Sequence, residues 1–409
     1  MISRSTFGDA MILSQHQQDA LDGKYGKATR KAMQILVALG EIYGAKRLIP
    51  VSSVQIAGVS FDNLGTAGLE FLSEIAQNGG KARVLSTLNP AGMDRLNWQL
   101  LKIPTDFAQK QIRVLDAFSQ MGILPTCSCT PYLFGNLPLF GDHIAWSESS
   151  AVCFANSVIG ARSNREGGPS ALASALTGYT PEYGMHLPAN REPVITFNIH
   201  AAISETHEFG ILGIIIGKHL ETLSSNKISY IRGIQTASLE NLKSFCASVA
   251  TYGGSAMFHM EGITPEAASV SPPKKSVDIT DLDIEKELKA VNSEDISDID
   301  FFSLGCPHLS IREIARIAEL IRGRKTQKEF WITTSRPTRM LADQLGYSQL
   351  IEEAGIKFAV DTCCVVAPIK NRFKVMATDS AKACYYASSK NKFKIRLLPF
   401  DQVVEKAFE

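Results

Sequence analysis

Five of the eight cysteines stand at three junctions whose neighbours are unlike those of core cysteines. Pro125-Thr126-Cys127-Ser128-Cys129-Thr130-Pro131 puts two thiols in a Pro-bounded turn. Leu304-Gly305-Cys306-Pro307-His308 follows the apolar pair Phe301-Phe302, and Asp361-Thr362-Cys363-Cys364 ends a strand-like run. Each is a strand-to-loop junction, the place where α/β folds assemble sites. Three thiolates from separate loops can hold an iron–sulfur cluster with one iron lacking a protein thiolate. That iron stays a Lewis acid for a substrate oxygen. Spacing alone leaves two alternatives open. All eight cysteines can be reduced packing residues, since compact CxxC spacings are missing, or Cys127 and Cys129 can join a histidine on zinc. Cys153 and Cys246 lie in apolar patterns and read as small buried hydrophobes.

Other polar loops could bind an anion. Asn164-Arg165-Glu166-Gly167-Gly168-Pro169-Ser170 precedes a small-residue helix predicted over 171–177. Gly167 and Gly168 let backbone amides face a ligand, Pro169 suits a first turn, and a helix N-terminus favours negative charge. Arg162 and Arg165 can clamp a carboxylate or phosphate. An ordinary helix start with surface arginines accounts for the same residues. Gly58-Val59-Ser60 and Asn89-Pro90 sit at two strand ends, as ligand contacts or as plain connections. Trp146-Ser147-Glu148-Ser149-Ser150 sets a carboxylate and hydroxyls before an apolar helix, where capping is the simpler role. Thr378-Asp379-Ser380-Ala381-Lys382 is a capped helix start with Lys382 able to meet an anion. His200, His259 and His308 lie near strand ends, each better explained singly as a hydrogen-bonded structural histidine.

The elements that must position these loops alternate between strand and helix patterns. Lys27–Tyr43 carries a helical apolar stripe stopped by Gly44, 48–54 reads as a strand, 65–77 as a helix and 82–85 as a strand. Further strands are predicted over 194–199, 255–259, 329–333 and 357–360. This alternation favours an α/β class with mainly parallel sheets. Residues 265–300 differ: Pro272-Pro273-Lys274-Lys275 leads into nine acidic residues between Asp278 and Asp300. They are expected to form an acidic surface connection with one short helix, Asp281–Val291.

The chain has 409 residues, room for roughly two or three domain-sized units. Its 42 Lys+Arg balance 41 Asp+Glu, which argues against a general nucleic-acid binder. The 45% hydrophobic content excludes disorder. The greasiest stretch, 209–217, is about half of what a bilayer span requires, and reads as a buried strand or core helix. The polar N-terminus lacks the apolar core of a signal peptide. A soluble, reduced, cytoplasmic protein is expected, with no membrane or nucleic-acid partner.

Read together, the loops resemble the aconitase X family, specifically its large catalytic subunit. The resemblance rests on Ala57-Gly58-Val59-Ser60, Thr87-Leu88-Asn89-Pro90-Ala91-Gly92-Met93-Asp94, Cys129-Thr130-Pro131-Tyr132 and Ala145-Trp146-Ser147-Glu148-Ser149-Ser150-Ala151. It continues through Gly160-Ala161-Arg162-Ser163-Asn164-Arg165-Glu166-Gly167-Gly168-Pro169-Ser170, Gly262-Ile263-Thr264-Pro265-Glu266-Ala267, Gly305-Cys306-Pro307-His308 and Asp361-Thr362-Cys363. These motifs span nearly the whole chain in order, from about Leu21; the first ten residues have no counterpart.

The resemblance implies an aconitase-like body of two or three α/β subdomains around an iron–sulfur site, acting as a hydro-lyase. It implies Cys129, Cys306 and Cys363 as ligands, with [4Fe–4S] favoured over [2Fe–2S], and Cys127 and Cys364 as neighbours that a register shift would substitute. The family dehydrates 5-phosphomevalonate to an anhydromevalonate phosphate in the archaeal mevalonate route, or cis-3-hydroxy-L-proline. This sequence is closer to the two-subunit archaeal type. Arg165, with the Gly167 and Gly168 amides, is expected to orient a carboxylate or phosphate, helped by Ser380 and Lys382. Gly58, Val59, Ser60, Asn89 and Pro90 line the wall, and Glu148 and Ser149 bond substrate or water. The base is expected on a separate small subunit carrying the swivelling domain. A catalytically silent cluster-binding regulatory subunit and a zinc hydrolase are the rival expectations. Two departures stand out: Gln55 replaces a family histidine, and Cys384-Tyr385-Tyr386 follows Ser-Ala-Lys where relatives often carry histidine.

Overall fold

A computed structural model describes residues 11–223, 227–294 and 298–409. The N-terminal ten residues and Asp295, one of the nine acidic residues, lie outside the described residues. Three parallel sheets follow one another along the chain. The first has Ser53–Ile56 at its centre, between Leu85–Leu88 and Ala145–Trp146. The second runs in the order Phe258–Met260, Ser229–Arg232, Ile195–Ile199, Ser276–Ile279. The third runs Lys357–Val360, Glu329–Thr334, Phe301–Leu304, Val375–Thr378, Lys394–Leu397. A small antiparallel pair, Leu48–Pro50 with Tyr179–Pro181, stands apart. The architecture is mixed α/β with mainly parallel strands, as expected.

Local chemistry explains the elements. Helix Lys27–Tyr43 buries Ala28, Ala32, Met33, Leu36 and Gly40, one stripe at helical spacing, and stops where Gly44 turns left-handed (φ 68°). All four residues of Phe301–Leu304 are buried, because helices cover both faces of a parallel sheet. The greasy stretch is the interior of helix Thr206–Glu221, packed on Leu239–Tyr252. Gly213 permits that approach, since a β-carbon there would lie 2.6 Å from the Ser248 β-carbon.

Several boundaries differ from the sequence expectation. The run 48–54 splits in two, since Pro50 cannot donate to a ladder and residues 51–52 turn the chain between sheets. The expected strand at 82–85 forms at Leu85–Leu88, because the amides of Ala82 and Arg83 are tied to the Met121 and Ala175 carbonyls. The helix expected from Gly65 starts at Phe61 and breaks at Gly65 (φ 61°, ψ −169°). The helix expected from Ala171 starts at Gly168. Helix Asp281–Val291 is present and buries no residue, but the segment before it adds strand Ser276–Ile279 to the second sheet.

The three units close on one another. One apolar cluster joins Met93, Leu101 and Ile103 of the first unit, Ile211 and Ile214 of the second, and Phe301, Trp331 and Met376 of the third. Its burial fixes how the loops at the strand ends meet. Among the described residues, no helix is long and apolar enough to cross a membrane.

Candidate active site

Loops at the C-terminal ends of the first and third sheets line one cavity of about 300 Å³. Such crevices are where parallel sheets bind ligands. The first unit contributes Ala57 and Gly58 after Ser53–Ile56, Asn89 and Pro90 after Leu85–Leu88, and Ser147, Glu148 and Ser149 after Ala145–Trp146. The third contributes Cys306, Cys363, Lys382 and Lys390. No described residue of 193–289 lines the cavity.

Cys129, Cys306 and Cys363 all line it, whereas Cys127 and Cys364 do not. Cys127 is fully buried in the first unit's core, against Asp361 and Arg95, and Cys364 is buried in the central cluster. Two residues apart in one turn, Cys127 and Cys129 point to different surroundings. Burial pushes all three cavity thiols up, Cys129 to about 12, with Glu148 and Cys363 adding to the effect. Opposing this, Lys382 favours the thiolate at all three, the His308 amide donates to Cys129 Sγ (3.3 Å), and the Val365 and Val366 amides do so at Cys363.

This donor set fits an iron–sulfur cluster. Amide N–H groups aimed at sulfur, and a lysine balancing the charge, are the environment that holds cysteines as thiolates on iron. Among the described residues, no three His, Cys, Asp or Glu side chains converge to hold a single ion. A cluster places its thiolates on different irons, and so needs sulfurs around a cavity rather than around a point. The zinc alternative fails on Cys127, which is turned into the core, and on His308, the histidine nearest the thiols, whose ring nitrogens are both engaged.

His308 ties the three thiol loops together. Burial pushes its pKa down to about 4, so the ring is neutral. The Thr362 carbonyl only accepts, so Nε2–H donates to it (3.0 Å), and Nδ1 accepts from Ser128 Oγ (3.0 Å). One fully buried side chain thereby joins the 129, 306 and 363 loops. Two ion clusters brace them further. Lys243 of the second unit holds Glu313 (2.5 Å) and the His308 carbonyl (2.9 Å). Asp361 is gripped by Arg95 (2.9 Å) and Arg336 (2.6 Å), and Arg336 also reaches Asp94 (2.9 Å).

Glu148 and Lys382 form a buried ion pair inside the cavity wall. Glu148 caps helix Ser149–Phe154, accepting from the Ala151 amide (2.8 Å) and Ser150 Oγ (2.5 Å). Burial opposes its charge, but Lys382 and these donors win and hold its pKa low. Burial likewise opposes the Lys382 charge, but Glu148, Cys306 and Cys129 outweigh it and raise the pKa. Gln55 donates to the Ser128 carbonyl (3.0 Å) and accepts from the Glu148 amide (3.3 Å). It bridges the carboxylate loop to the thiol loop.

The remaining candidates divide. Gly58, Asn89, Pro90, Ser149 and Arg165 line the cavity. Among the described residues, the buried Asn89 Oδ1 has no hydrogen-bond partner and Arg165 donates only to the Gly254 carbonyl (3.1 Å). Val59, Ser60, Gly167, Gly168 and Ser380 do not line it. Val59 is buried in the core, and Ser60 donates to the Val366 carbonyl (3.2 Å). Gly167 presents its carbonyl, not its amide, to Ser147 and Ser170. Gly168 packs under strand Ser53–Ile56, where a β-carbon would approach the Ala57 carbonyl oxygen to 2.9 Å. Ser380 caps helix Ala381–Tyr386 and donates to the Cys306 carbonyl.

The sequence reading missed Asn63, Tyr386 and Lys390, which also line the cavity. Lys382, Tyr386 and Lys390 recur at four-residue spacing along helix Ala381–Tyr386 and the π turn Ala387–Asn391. That stripe was the available signal.

Comparisons with known proteins agree with this construction. The aconitase X first-, second- and third-domain models match residues 10–189, 193–289 and 299–409. The phosphomevalonate dehydratase large subunit of Thermococcus kodakarensis is 43% identical, covering 97% of this chain and all of that protein. The cis-3-hydroxy-L-proline dehydratase of Hypocrea jecorina is 32% identical over 93% of this chain and 66% of its own length. The holo-form crystal structure of Thermococcus kodakaraensis aconitase X superimposes with a TM-score of 0.90 at 43% identity, covering 97% of this chain and all of that one. With all three domain models matched in order around the thiol-lined cavity, the chain belongs to the aconitase X family.

Proposed function

We propose that this chain is the large subunit of a phosphomevalonate dehydratase, removing water from (R)-5-phosphomevalonate to give trans-anhydromevalonate 5-phosphate. One observation carries the substrate choice. Five relatives of that name match over 92–100% of their own length, four of them at 42–43% identity and one at 32%, whereas the hydroxyproline dehydratases match at 30–32% over only 66% of theirs.

Dehydration of a β-hydroxy acid removes the proton beside the carboxylate and expels hydroxide from the next carbon. The C–H electron pair becomes the double bond, and proton and hydroxide leave as water. Cys129, Cys306 and Cys363 would hold the cluster, with [4Fe–4S] the type proposed. When bound, such a cluster supplies a Lewis acid for the departing hydroxyl. The chain's own residues bind and orient the substrate. Arg165 and Lys390 meet its anionic ends, and Asn89 Oδ1 accepts a hydrogen bond from a substrate hydroxyl. Lys382 keeps Glu148 ionised, so Glu148 orients through hydrogen bonds and does not act as the acid. The proton-abstracting base comes from a small subunit, a role consistent with relatives named as large subunits.

Anaerobic co-purification with the small partner, followed by parallel assays, tests this. Dehydration of 5-phosphomevalonate by the complex, with little turnover by the chain alone, is the expected result. Turnover of cis-3-hydroxy-L-proline only would reject the substrate, and full activity of the isolated chain would reject the divided site.

A further inference from the structure

We propose that an apolar cavity beside the active site binds the hydrocarbon tail of a phosphate-headed ligand whose anionic head sits among the active-site cations. The cavity measures about 240 Å³ and is walled by Leu64, Phe71, Leu72, Phe118 and Leu172. These come from helices Phe61–Gln77, Thr105–Gln120 and Gly168–Thr177. Asn63 is its single polar lining side chain among the described residues.

Its position determines what it takes. Ala57, Gly58 and Asn63 line both this cavity and the thiol-lined one, so the two adjoin at two small residues and one amide. Asn63 and Leu64 stand on a short turn cut from the rest of its helix by the break at Gly65. The same turn carries Asp62, which pairs with the cavity cation Lys390 (3.3 Å). On one side of that junction lie Arg165 and Lys390; on the other lies hydrocarbon. A ligand filling both is therefore an anion with an apolar tail.

Water suits the apolar side poorly, because a stable water needs two or more polar partners and Asn63 is the single polar side chain among the described lining residues. Displacing such water with hydrocarbon is favourable, by about fourfold in affinity per methylene buried. The acids dehydrated by the relatives carry no tail of this size. The tailed anion therefore acts as a competitor of substrate, a regulatory ligand rather than a reactant.

Calorimetric titration of the two-subunit complex with geranyl diphosphate and with inorganic diphosphate tests the proposal. The tailed ligand is expected to bind at least tenfold more tightly. Leu64→Phe and Leu172→Phe, which fill the cavity from two sides, should each bring that ratio below threefold and leave inorganic diphosphate binding unchanged. The unchanged diphosphate affinity also reports that the variants are folded. A ratio below tenfold in the parent complex, or above threefold in both variants, overturns the proposal. Because binding is read directly, the result does not depend on which hydroxy acid the enzyme dehydrates.

Discussion

Glu148 and Lys382, 234 residues apart in the chain, form a buried ion pair between the first turns of two helices from different units. The pair joins the first unit to the third at the cavity, and sets the lysine beside Cys129 and Cys306. A buried charge left without its partner is far less stable than the pair.

Glu148→Gln therefore strands the Lys382 ammonium. Denaturant unfolding of the variant should show a loss of about 3–5 kcal/mol. Lys382→Met should cost a similar amount, and the double variant should cost clearly less than the sum of the two. Strict additivity would mean that the pair does not couple the units.

Removing the His308 ring breaks two buried hydrogen bonds between thiol loops. His308→Ala should lose about 1–3 kcal/mol per stranded group. The loops should then hold the cluster less firmly. Iron per chain and visible absorption after anaerobic reconstitution should both fall, and the remaining cluster should bleach faster in air. His308→Gln, which keeps a donor and an acceptor, should recover part of the loss. Cluster retention equal to the parent's in His308→Ala would show that the histidine only fills space.

Lys390 should matter for the phosphate end of the substrate. Lys390→Met is expected to raise the KM for 5-phosphomevalonate by roughly 10- to 100-fold, the range of one hydrogen bond to a charged group. The kcat should change much less, because the lysine binds and does not react. A kcat loss at unchanged KM would place it in the chemistry instead.

The His143–His186 contact (3.0 Å) predicts acid sensitivity away from the active site. Burial, with His143 and nearby arginines, pushes the His186 pKa from 6.5 down to about 3. The unfolded chain takes up a proton below pH 6.5 that the folded chain refuses until about pH 3. Stability from this group is present above 6.5 and falls as pH drops through that window, by up to about 1.4 kcal/mol per pH unit. Urea unfolding at pH 7.5 and 5.5 measures it. His186→Asn should flatten the difference, and an unflattened slope would assign the sensitivity to other groups.

Much of this site was legible in the residues themselves. Glu148 and Ser380 at helix starts, Gly58 and Asn89 after strands, and the three thiol loops all sit where local chemistry marks a turn from strand to helix. Strand and helix existence followed from periodicity, and helix Asp281–Val291 from its pattern alone. Boundaries such as 82–85 were misplaced because tertiary partners, the Met121 and Ala175 carbonyls, capture backbone groups that a local pattern assigns to a strand.

Sequence by itself determined the α/β class, the family and the loops that carry chemistry, because turn residues and apolar spacing act over a few positions. Tertiary structure decided which members of each loop reach the cavity. Cys127 and Cys129 are chemically identical and two residues apart, yet only Cys129 faces it, since Cys127 is turned into the first unit's core. Val59, Ser60 and Gly167 stand in the right motifs and lie behind the wall, whereas Lys390 belongs to no motif and lines it. The Glu148–Lys382 pair and the three-loop role of His308 are likewise products of folding. They require units distant in the chain to close over a shared apolar cluster, and no local pattern encodes that contact.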